Sequence, residues 1–138
     1  MNDTRVIIER RSALAVLSAG AILAALSSAA KAQQSGVKLT VLYTEQKNPE
    51  KFTKYYMDTH MPMVDKAPGV ARTEVATVLP APPDQPKPAF WRITEVYWDG
   101  VESMQKTFAT PEWKTITADV QNFADPGTIS FFVAQIGT

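Results

Sequence analysis

The stretch AFWRITEVYW, residues 89–98, carries the strongest information about the fold. It is dense in β-branched and aromatic residues, which favour a β-strand. Side chains alternate between the two faces of a strand. The large apolar side chains divide here into Phe90, Val96 and Trp98 on one face and Trp91, Ile93 and Tyr97 on the other. A strand with two apolar faces predicts a sheet that is covered on both sides.

A second segment repeats this pattern near the end of the chain. ISFFVAQI, residues 129–136, places Ile129, Phe131 and Val133 opposite Phe132, Ala134 and Ile136. Helices can cover only one face of an open sheet, and large apolar patches are rarely left exposed. The two strands therefore predict a homodimer in which two sheets pack face to face. In the alternative, a monomer covers the second face with its proline-rich loop and its tail.

The remaining elements lie on either side of these strands. The patterns predict a strand at 37–43 (VKLTVLY), a helix starting at Asn48-Pro49-Glu50, a strand at 70–79, a capping box at 99–102 that opens a helix, and a further helix starting at Thr110-Pro111-Glu112. Residues 80–88, PAPPDQPKP, predict an extended loop, because proline is excluded from helices and central strands. The order β-α-β-β-α-β predicts an α+β, ferredoxin-like domain: a four-stranded antiparallel sheet with helices on one face.

The first 32 residues differ from the rest of the chain. Basic residues precede an apolar run at 13–30, which ends in Ala30-Lys31-Ala32. This layout is typical of a secretory signal peptide with an A-x-A cleavage site. The pair Arg10-Arg11 is similar to the twin-arginine type. The sequence therefore predicts a signal peptide at 1–32 and a periplasmic or secreted domain at 33–138; the alternative is an N-terminal membrane anchor.

Composition excludes several function classes. Residues 33–138 hold ten basic and twelve acidic side chains, a net charge of −2, which argues against nucleic-acid binding. Without cysteine, the chain has no disulfide, no thiolate nucleophile, no zinc-thiolate site and no c-type haem attachment. With one histidine and scattered carboxylates, no metal site is predicted, and no cofactor-binding motif is present. No membrane partner is expected once the signal peptide is removed.

The only histidine, His60, lies in YYMDTHMP, residues 55–62. Pro62 disfavours a helical Met61, so the helix is expected to end near His60. There the imidazole can face a cavity and serve as a general acid or base. The end of the helix would favour its charged form. In the alternative, the imidazole bonds the last helix carbonyls.

Several other side chains could share a pocket with His60. The candidates for hydrogen bonding are the hydroxyls of Tyr43, Tyr55 and Tyr56 and the carboxylates of Glu95 and Asp119. A carboxylate near the imidazole could orient it or raise its pKa. Each of these groups has an ordinary alternative as a core tyrosine or a solvated carboxylate.

The order and spacing of several short patterns mark a family. They are Tyr56-x-x-x-His60-x-Pro62, Pro68-Gly69, Tyr97-Trp98, Thr110-Pro111-Glu112, Asp119 and Asn122-Phe123. Across residues 37–136 the chain resembles the EthD-like family of the dimeric α+β barrel superfamily. The resemblance implies a ferredoxin-like subunit that pairs through its sheet, and a cavity between sheet and helices near His60. Founding members accompany oxidative ether degradation, and relatives include cofactor-free dehydratases or cyclases.

These observations together predict an exported homodimer that binds a small apolar or aromatic molecule. It is expected to perform dehydratase-, isomerase- or oxygenase-like proton chemistry without a cofactor, or to serve oxidative degradation. His60 would be the acid or base, Tyr56 a donor, and Asp119 or Glu95 the orienting carboxylate. Apolar wall would come from Trp91, Trp113 and Phe123. The alternatives are a non-enzymatic binding or accessory protein and, more weakly, a haem-binding protein with His60 as axial ligand.

Overall fold

The computed structural model describes residues 36–137. The predicted signal peptide lies outside the described residues. The strands are β1 (Gly36–Tyr43), β2 (Arg72–Thr77), β3 (Arg92–Trp98) and β4 (Ile129–Ile136). The helices are α1 (Pro49–Tyr55), α2 (Met61–Asp65), α3 (Val101–Phe108) and α4 (Pro111–Asp119), with a π-helical turn at Tyr56–His60 and a 3₁₀ turn at Val120–Asn122.

All four strands form one antiparallel sheet in the order β2-β3-β1-β4. This confirms the predicted α+β, ferredoxin-like arrangement. The strand predicted at 70–79 is shorter, since only Arg72–Thr77 pair with β3. The strand predicted at 89–98 begins at Arg92. The proline-rich stretch 80–88 contains no helix or strand, as predicted.

The helices pack on one face of the sheet. Val37, Val96 and Trp98 form a single buried core with residues of all four helices. The opposite face, which we call the open face, carries Phe132, which is 50% exposed, beside the Lys38–Glu95 ion pair. β4 is an edge strand, and its exposed Phe131 belongs to the helix side, directly across from Val41.

The helix that contains His60 does not end there. It continues to Asp65 through the π-helical turn, in which the N–H of Met61 bonds the carbonyl of Tyr56. In a regular α-helix the ring of Pro62 would clash with the carbonyl four residues earlier. The wider turn holds one extra residue and lets the chain pass Pro62 while remaining helical.

Helix starts follow the predicted caps in two cases out of three. Asn48 accepts a hydrogen bond from the N–H of Lys51 at 3.0 Å, and Thr110 accepts one from Trp113 at 3.2 Å. The capping box predicted at 99–102 is wrong, because the residue before α3 is Gly100, which has no side chain to cap with. Within residues 36–137, no helix combines the length and the apolar character needed to cross a membrane.

Candidate functional site

A cavity of about 480 Å³ lies between the helix side of the sheet and the helices. Most of its wall is aliphatic or aromatic, and its polar groups come from a few hydroxyls and one imidazole. The lining residues are Leu39, Val41, Tyr43, Tyr56, His60, Met61, Val64, Thr94, Val96, Phe108, Trp113, Ile116, Thr117, Val120, Ile129, Phe131 and Val133. Such a cavity suits a small, mainly apolar molecule.

His60 lies at the edge of this cavity and is paired with a carboxylate. Its side chain is buried, and Nδ1 is 2.9 Å from Oδ2 of Asp119, the last residue of α4. The π-helical turn stacks the rings of His60 and Tyr56 at 5.6 Å between centroids, so that both face the cavity. The imidazole therefore bonds a side chain of another helix. It does not cap the carbonyls of its own helix, which was the alternative.

Asp119 is held by three hydrogen bonds. Besides the contact with His60, its Oδ1 accepts bonds from the hydroxyl of Tyr55 at 2.6 Å and from the amide of Asn122 at 3.0 Å. Burial alone would raise the pKa of Asp119, but the bonds from Tyr55, Asn122 and His60 outweigh it and lower that pKa. The carboxylate is therefore ionised at neutral pH.

The pKa of His60 is lowered, chiefly because burial disfavours the charged imidazolium, although Asp119 opposes the shift. The predicted preference for the charged form is thus wrong, since the helix continues past His60. A neutral imidazole beside an ionised Asp119 carries its proton on Nδ1, which donates to Oδ2. Nε2 keeps a free lone pair, and no group among residues 36–137 hydrogen-bonds to it.

Two tyrosine hydroxyls accompany His60. Tyr56 is fully buried, and its hydroxyl hydrogen-bonds Thr94 Oγ1. Burial raises the pKa of Tyr56 to about 12. It raises the pKa of Tyr43 further above the ordinary value. Both groups therefore remain neutral hydroxyls able to donate a hydrogen bond at physiological pH.

The structure brings together most of the predicted site residues, but not all in the predicted places. Trp113 lines the cavity. Phe123 packs behind His60, with ring centroids 4.5 Å apart, and does not line the cavity. Tyr55, predicted to touch substrate, instead bonds the far side of Asp119.

Two predicted residues lie elsewhere. Glu95 is on the open face, where it bonds Lys38 at 2.5 Å and the hydroxyl of Tyr97 at 2.8 Å. The sheet separates it from His60, so it cannot orient the imidazole. Trp91 precedes β3, so the strand alternation does not extend to it. It packs edge-on against Phe52 at 5.2 Å and lines a groove beside the proline-rich loop.

Sequence reasoning missed Thr94, Asn122 and the cavity-facing side of β4. Thr94 has the same strand parity as Val96 and Trp98, and this signal could have placed it on the helix side. Asn122 follows Asp119 by three residues, a spacing that brings side chains together on a helical turn. Among residues 36–137, no three His, Asp or Glu side chains converge in a way that could hold a metal ion.

The fold and site define an α+β, ferredoxin-like protein with a buried His–Asp pair beside an apolar cavity. Residues 45–127 match the EthD domain, and the chain belongs to this family. It is similar to an uncharacterised 11.0 kDa protein of the thcB–thcC intergenic region of Rhodococcus erythropolis. Those two chains are 27% identical over 98 residues, which are 71% of this chain and 93% of that protein.

The chain is also similar to several solved structures. An ethyl tert-butyl ether d (EthD) family protein from Bacillus halodurans shares 28% identity, with a TM-score of 0.65 over 72% of this chain and 96% of that one. A hydroxynitrile lyase from Passiflora edulis has a TM-score of 0.61 at 13% identity (75% and 95% covered). A cofactor-independent oxygenase from Streptomyces nogalater has a TM-score of 0.52 at 10% identity, over 75% of this chain and 95% of that one. A dimeric ferredoxin-like protein from Thermobifida fusca has a TM-score of 0.55 at 8% identity, over 75% of this chain and 93% of that one. The last three share the fold alone.

Proposed function

We propose that this EthD-domain protein binds a small, predominantly apolar organic molecule in its cavity and that His60 transfers a proton to or from it. The observation that carries the proposal is the buried His60–Asp119 pair at the edge of the cavity, 2.9 Å apart. The cavity accounts for binding, and the free lone pair on Nε2 accounts for the chemistry.

The proposed proton transfer follows from the contacts of the pair. Asp119 accepts the Nδ1 proton and so holds the imidazole in the tautomer whose Nε2 is basic. When Nε2 takes a proton, the ionised carboxylate stabilises the imidazolium. The bond between Tyr56 and Thr94 can form with Thr94 as its donor. Tyr56 then keeps its own proton and can donate it to an oxygen of the bound molecule, since its hydroxyl is neutral at pH 7. Acid–base groups placed in this way contribute about 10²- to 10⁴-fold to a rate.

The fold is compatible with this class of reaction. Proteins named as a hydroxynitrile lyase and as a cofactor-independent oxygenase are built on it. Because one fold serves many chemistries, this supports the proposal only as a class, and the substrate must be argued from the site.

A second candidate is a binding or accessory protein that uses the same cavity without chemistry. The hydrogen bond between the buried hydroxyls of Tyr56 and Thr94 favours it when Tyr56 is the donor, because the Tyr56 proton is then no longer available to a ligand. In this case ligand binding would depend on the apolar wall, and loss of His60 would change affinity little.

The chain's single histidine allows a direct test by NMR. With ¹⁵N-labelled histidine, long-range proton–nitrogen spectra report the tautomer of His60 without further assignment. We expect a neutral ring at pH 7 with its proton on Nδ1, and a change at Nε2 when a ligand binds. A proton on Nε2, or a bound ligand that leaves the ring unchanged, would contradict the role as a base.

A thermal-shift screen would identify the ligand class. The panel contains phenols, quinones, alkyl ethers and haem, tested on the native protein, His60→Ala and Met57→Ala. Met57 is exposed in the same turn and serves as the matched control. A ligand that stabilises the native protein and Met57→Ala more than His60→Ala places the site at His60. Equal shifts in all three would remove His60 from the site.

The same screen tests the alternatives. A ligand that binds but is never turned over supports the accessory protein, and a Soret absorption supports haem binding.

We also propose self-association through the open face. Phe132 is half exposed there, directly across from Thr40 and next to the Lys38–Glu95 ion pair. Exposed aromatic side chains are enriched at interfaces. A fold neighbour described as dimeric supports the proposal.

Export remains a proposal that rests on residues 1–32. Expression with Arg10→Lys and Arg11→Lys beside the native chain checks it. We expect a shortened product, cleaved after Ala32, in the periplasmic fraction of the native chain. If the twin-arginine route is used, the substituted chain does not give this product. A product that keeps its N-terminus and stays with the membrane would support the anchor instead.

A further inference from the structure

Arg92 is a buried cation whose charge is balanced by no carboxylate in the described part of the chain. Its side chain is 6% exposed, and its Nε and Nη1 atoms have no hydrogen-bond partner among the described residues. Within residues 36–137 the guanidinium makes one hydrogen bond, from Nη2 to the hydroxyl of Thr53 at 3.2 Å. No carboxylate of residues 36–137 forms an ion pair with it. A buried, unpaired charge destabilises a protein, because burial removes the hydration of the ion and no opposite charge replaces it.

Aromatic rings surround this cation. The guanidinium carbon is 4.6 Å from the ring centroid of Trp91 and 5.5 Å from those of Phe52 and Tyr56. The negative faces of aromatic rings attract a cation. These rings therefore offset part of the destabilisation that burial of the charge causes. They do not neutralise the charge, and its field extends to the far side of the rings.

The far side of Tyr56 is the polar end of the cavity. Arg92 and Thr94 lie two residues apart on the same face of β3, about 6–7 Å along the strand. Thr94 bonds the hydroxyl of Tyr56, and both line the cavity near His60. Arg92 itself does not line the cavity. Its charge therefore acts on a bound molecule through Tyr56, without direct contact.

We propose that Arg92 is a positioning residue that stabilises negative charge on an oxygen of the bound molecule at the Tyr56 hydroxyl. This inference rests on the proposed function and names the ligand more closely: a molecule with an ionisable O–H. In the step, the ligand's O–H bond breaks, the proton passes to Nε2 of His60, and the electron pair stays on the ligand oxygen. The resulting oxyanion accepts a hydrogen bond from Tyr56 and interacts with the charge of Arg92.

The lining of the cavity supports this assignment. No lysine or arginine is among its lining residues, so a molecule that enters as an anion would meet no direct counter-ion. A neutral molecule enters without that penalty and becomes charged only after proton transfer. The electrostatic effect of Arg92 on Tyr56 and Tyr43 has the matching sign, since it lowers the pKa of both hydroxyls against the larger effect of burial.

The test uses 4-nitrophenol and 4-nitroanisole as probes. The two molecules are nearly isosteric, but only the phenol ionises, and its anion is visible by absorption. We compare the purified native protein with Arg92→Met, which removes the charge, and Arg92→Lys, which keeps it. We expect 4-nitroanisole to bind the native protein and Arg92→Met equally. We expect Arg92→Met to bind 4-nitrophenolate about tenfold more weakly, which is a rise of about one unit in the bound phenol's pKa, and Arg92→Lys to restore most of the difference.

The outcomes separate the two proposals. Equal binding of 4-nitroanisole with no change for 4-nitrophenolate overturns the role of Arg92 and leaves the proposed function intact. Failure of both probes to bind the native protein overturns the cavity's proposed function, and this inference with it. If Arg92→Met does not fold, Arg92→Gln replaces it, and thermal melting of each variant verifies folding. Loss of both probes in every variant, lysine included, would show that Arg92 only packs against the rings.

Discussion

His60 is defined by the competition between burial and Asp119. Burial lowers its pKa, and the carboxylate raises it by less. The result is an imidazole that is neutral at pH 7 but has an anion 2.9 Å away, ready to stabilise the protonated form. Tyr55 and Asn122 affect His60 indirectly, because their hydrogen bonds to Asp119 stabilise its ionised state.

The first prediction concerns the pH dependence of stability. Because the pKa of folded His60 lies below its ordinary value of 6.5, the unfolded chain gains a proton first as the pH falls. Stability from this group is therefore complete above pH 6.5 and decreases below it, by at most about 1.4 kcal/mol per pH unit. Asp119, with a pKa lowered from 3.8, adds a second loss below that value.

Urea denaturation at a series of pH values measures both losses. His60→Gln is the control, because it should abolish the loss that begins below pH 6.5 and retain the one at lower pH. If the free energy of unfolding of the native protein increased as the pH fell from 6.5 to 5, this would contradict the burial of a neutral His60.

A second prediction concerns Asp119→Asn. The amide cannot supply a negative charge and can donate to Nδ1, so we expect the imidazole proton to move to Nε2 and the pKa of His60 to fall further. If the protein is an enzyme, its kcat should drop about 10²- to 10⁴-fold. NMR titration of His60 is the measurement. Asp58→Asn, which removes only an exposed partner of Lys54, should leave the titration unchanged.

The helices position the pair through their ends. The π-helical turn presents Tyr56 and His60 together, and α4 ends at Asp119 after starting at the Thr110 cap. Each end depends on local chemistry: Pro62 makes the wider turn favourable, and the hydroxyl of Thr110 satisfies the N–H of Trp113. The site therefore depends on the helix starts as well as on its own side chains.

A third prediction follows for α4. Thr110→Ala should cost about 1 kcal/mol of unfolding free energy, because the N–H of Trp113 loses its partner. Thr115→Ala, an exposed change in the same helix, should cost nothing measurable. Urea denaturation gives the free energies, and hydrogen exchange in α4 should accelerate only in the first variant. Equal effects of the two substitutions would show that the cap does not hold the helix.

In the whole molecule, the two faces of the sheet have different roles. The helix side builds the cavity, and the open face is the surface proposed for self-association. β4 takes part in both, since adjacent residues Phe131 and Phe132 are exposed on opposite faces. This strand can therefore separate the two tasks experimentally.

The fourth prediction uses this pair. Phe132→Asp should convert a dimer into a monomer, because it places a charge in a buried interface. Phe131→Asp should leave the dimer intact and weaken binding of an apolar ligand. Size-exclusion chromatography with light scattering measures the first effect, and the thermal shift with a ligand measures the second. A native protein that is monomeric, or a dimer that survives Phe132→Asp, would contradict the proposed interface.

The sequence alone was enough to predict the order of the elements, the two faces of β1, β4 and residues 92–98 of β3, the caps Asn48 and Thr110, and the family. These properties depend on neighbours within a few residues, through alternation, helical spacing and capping chemistry. It also indicated His60 and Tyr56, since the only imidazole and a tyrosine one turn away stand out from their surroundings.

Which carboxylate meets the imidazole depends on the tertiary packing. Asp119 is 59 residues from His60, and Glu95 was an equal candidate until the sheet placed it on the open face. The burial of Arg92 and the contribution of β4 to the cavity have the same origin. Local patterns give the face on which a side chain lies, whereas its distance from a partner on another element depends on how helices and sheet pack together.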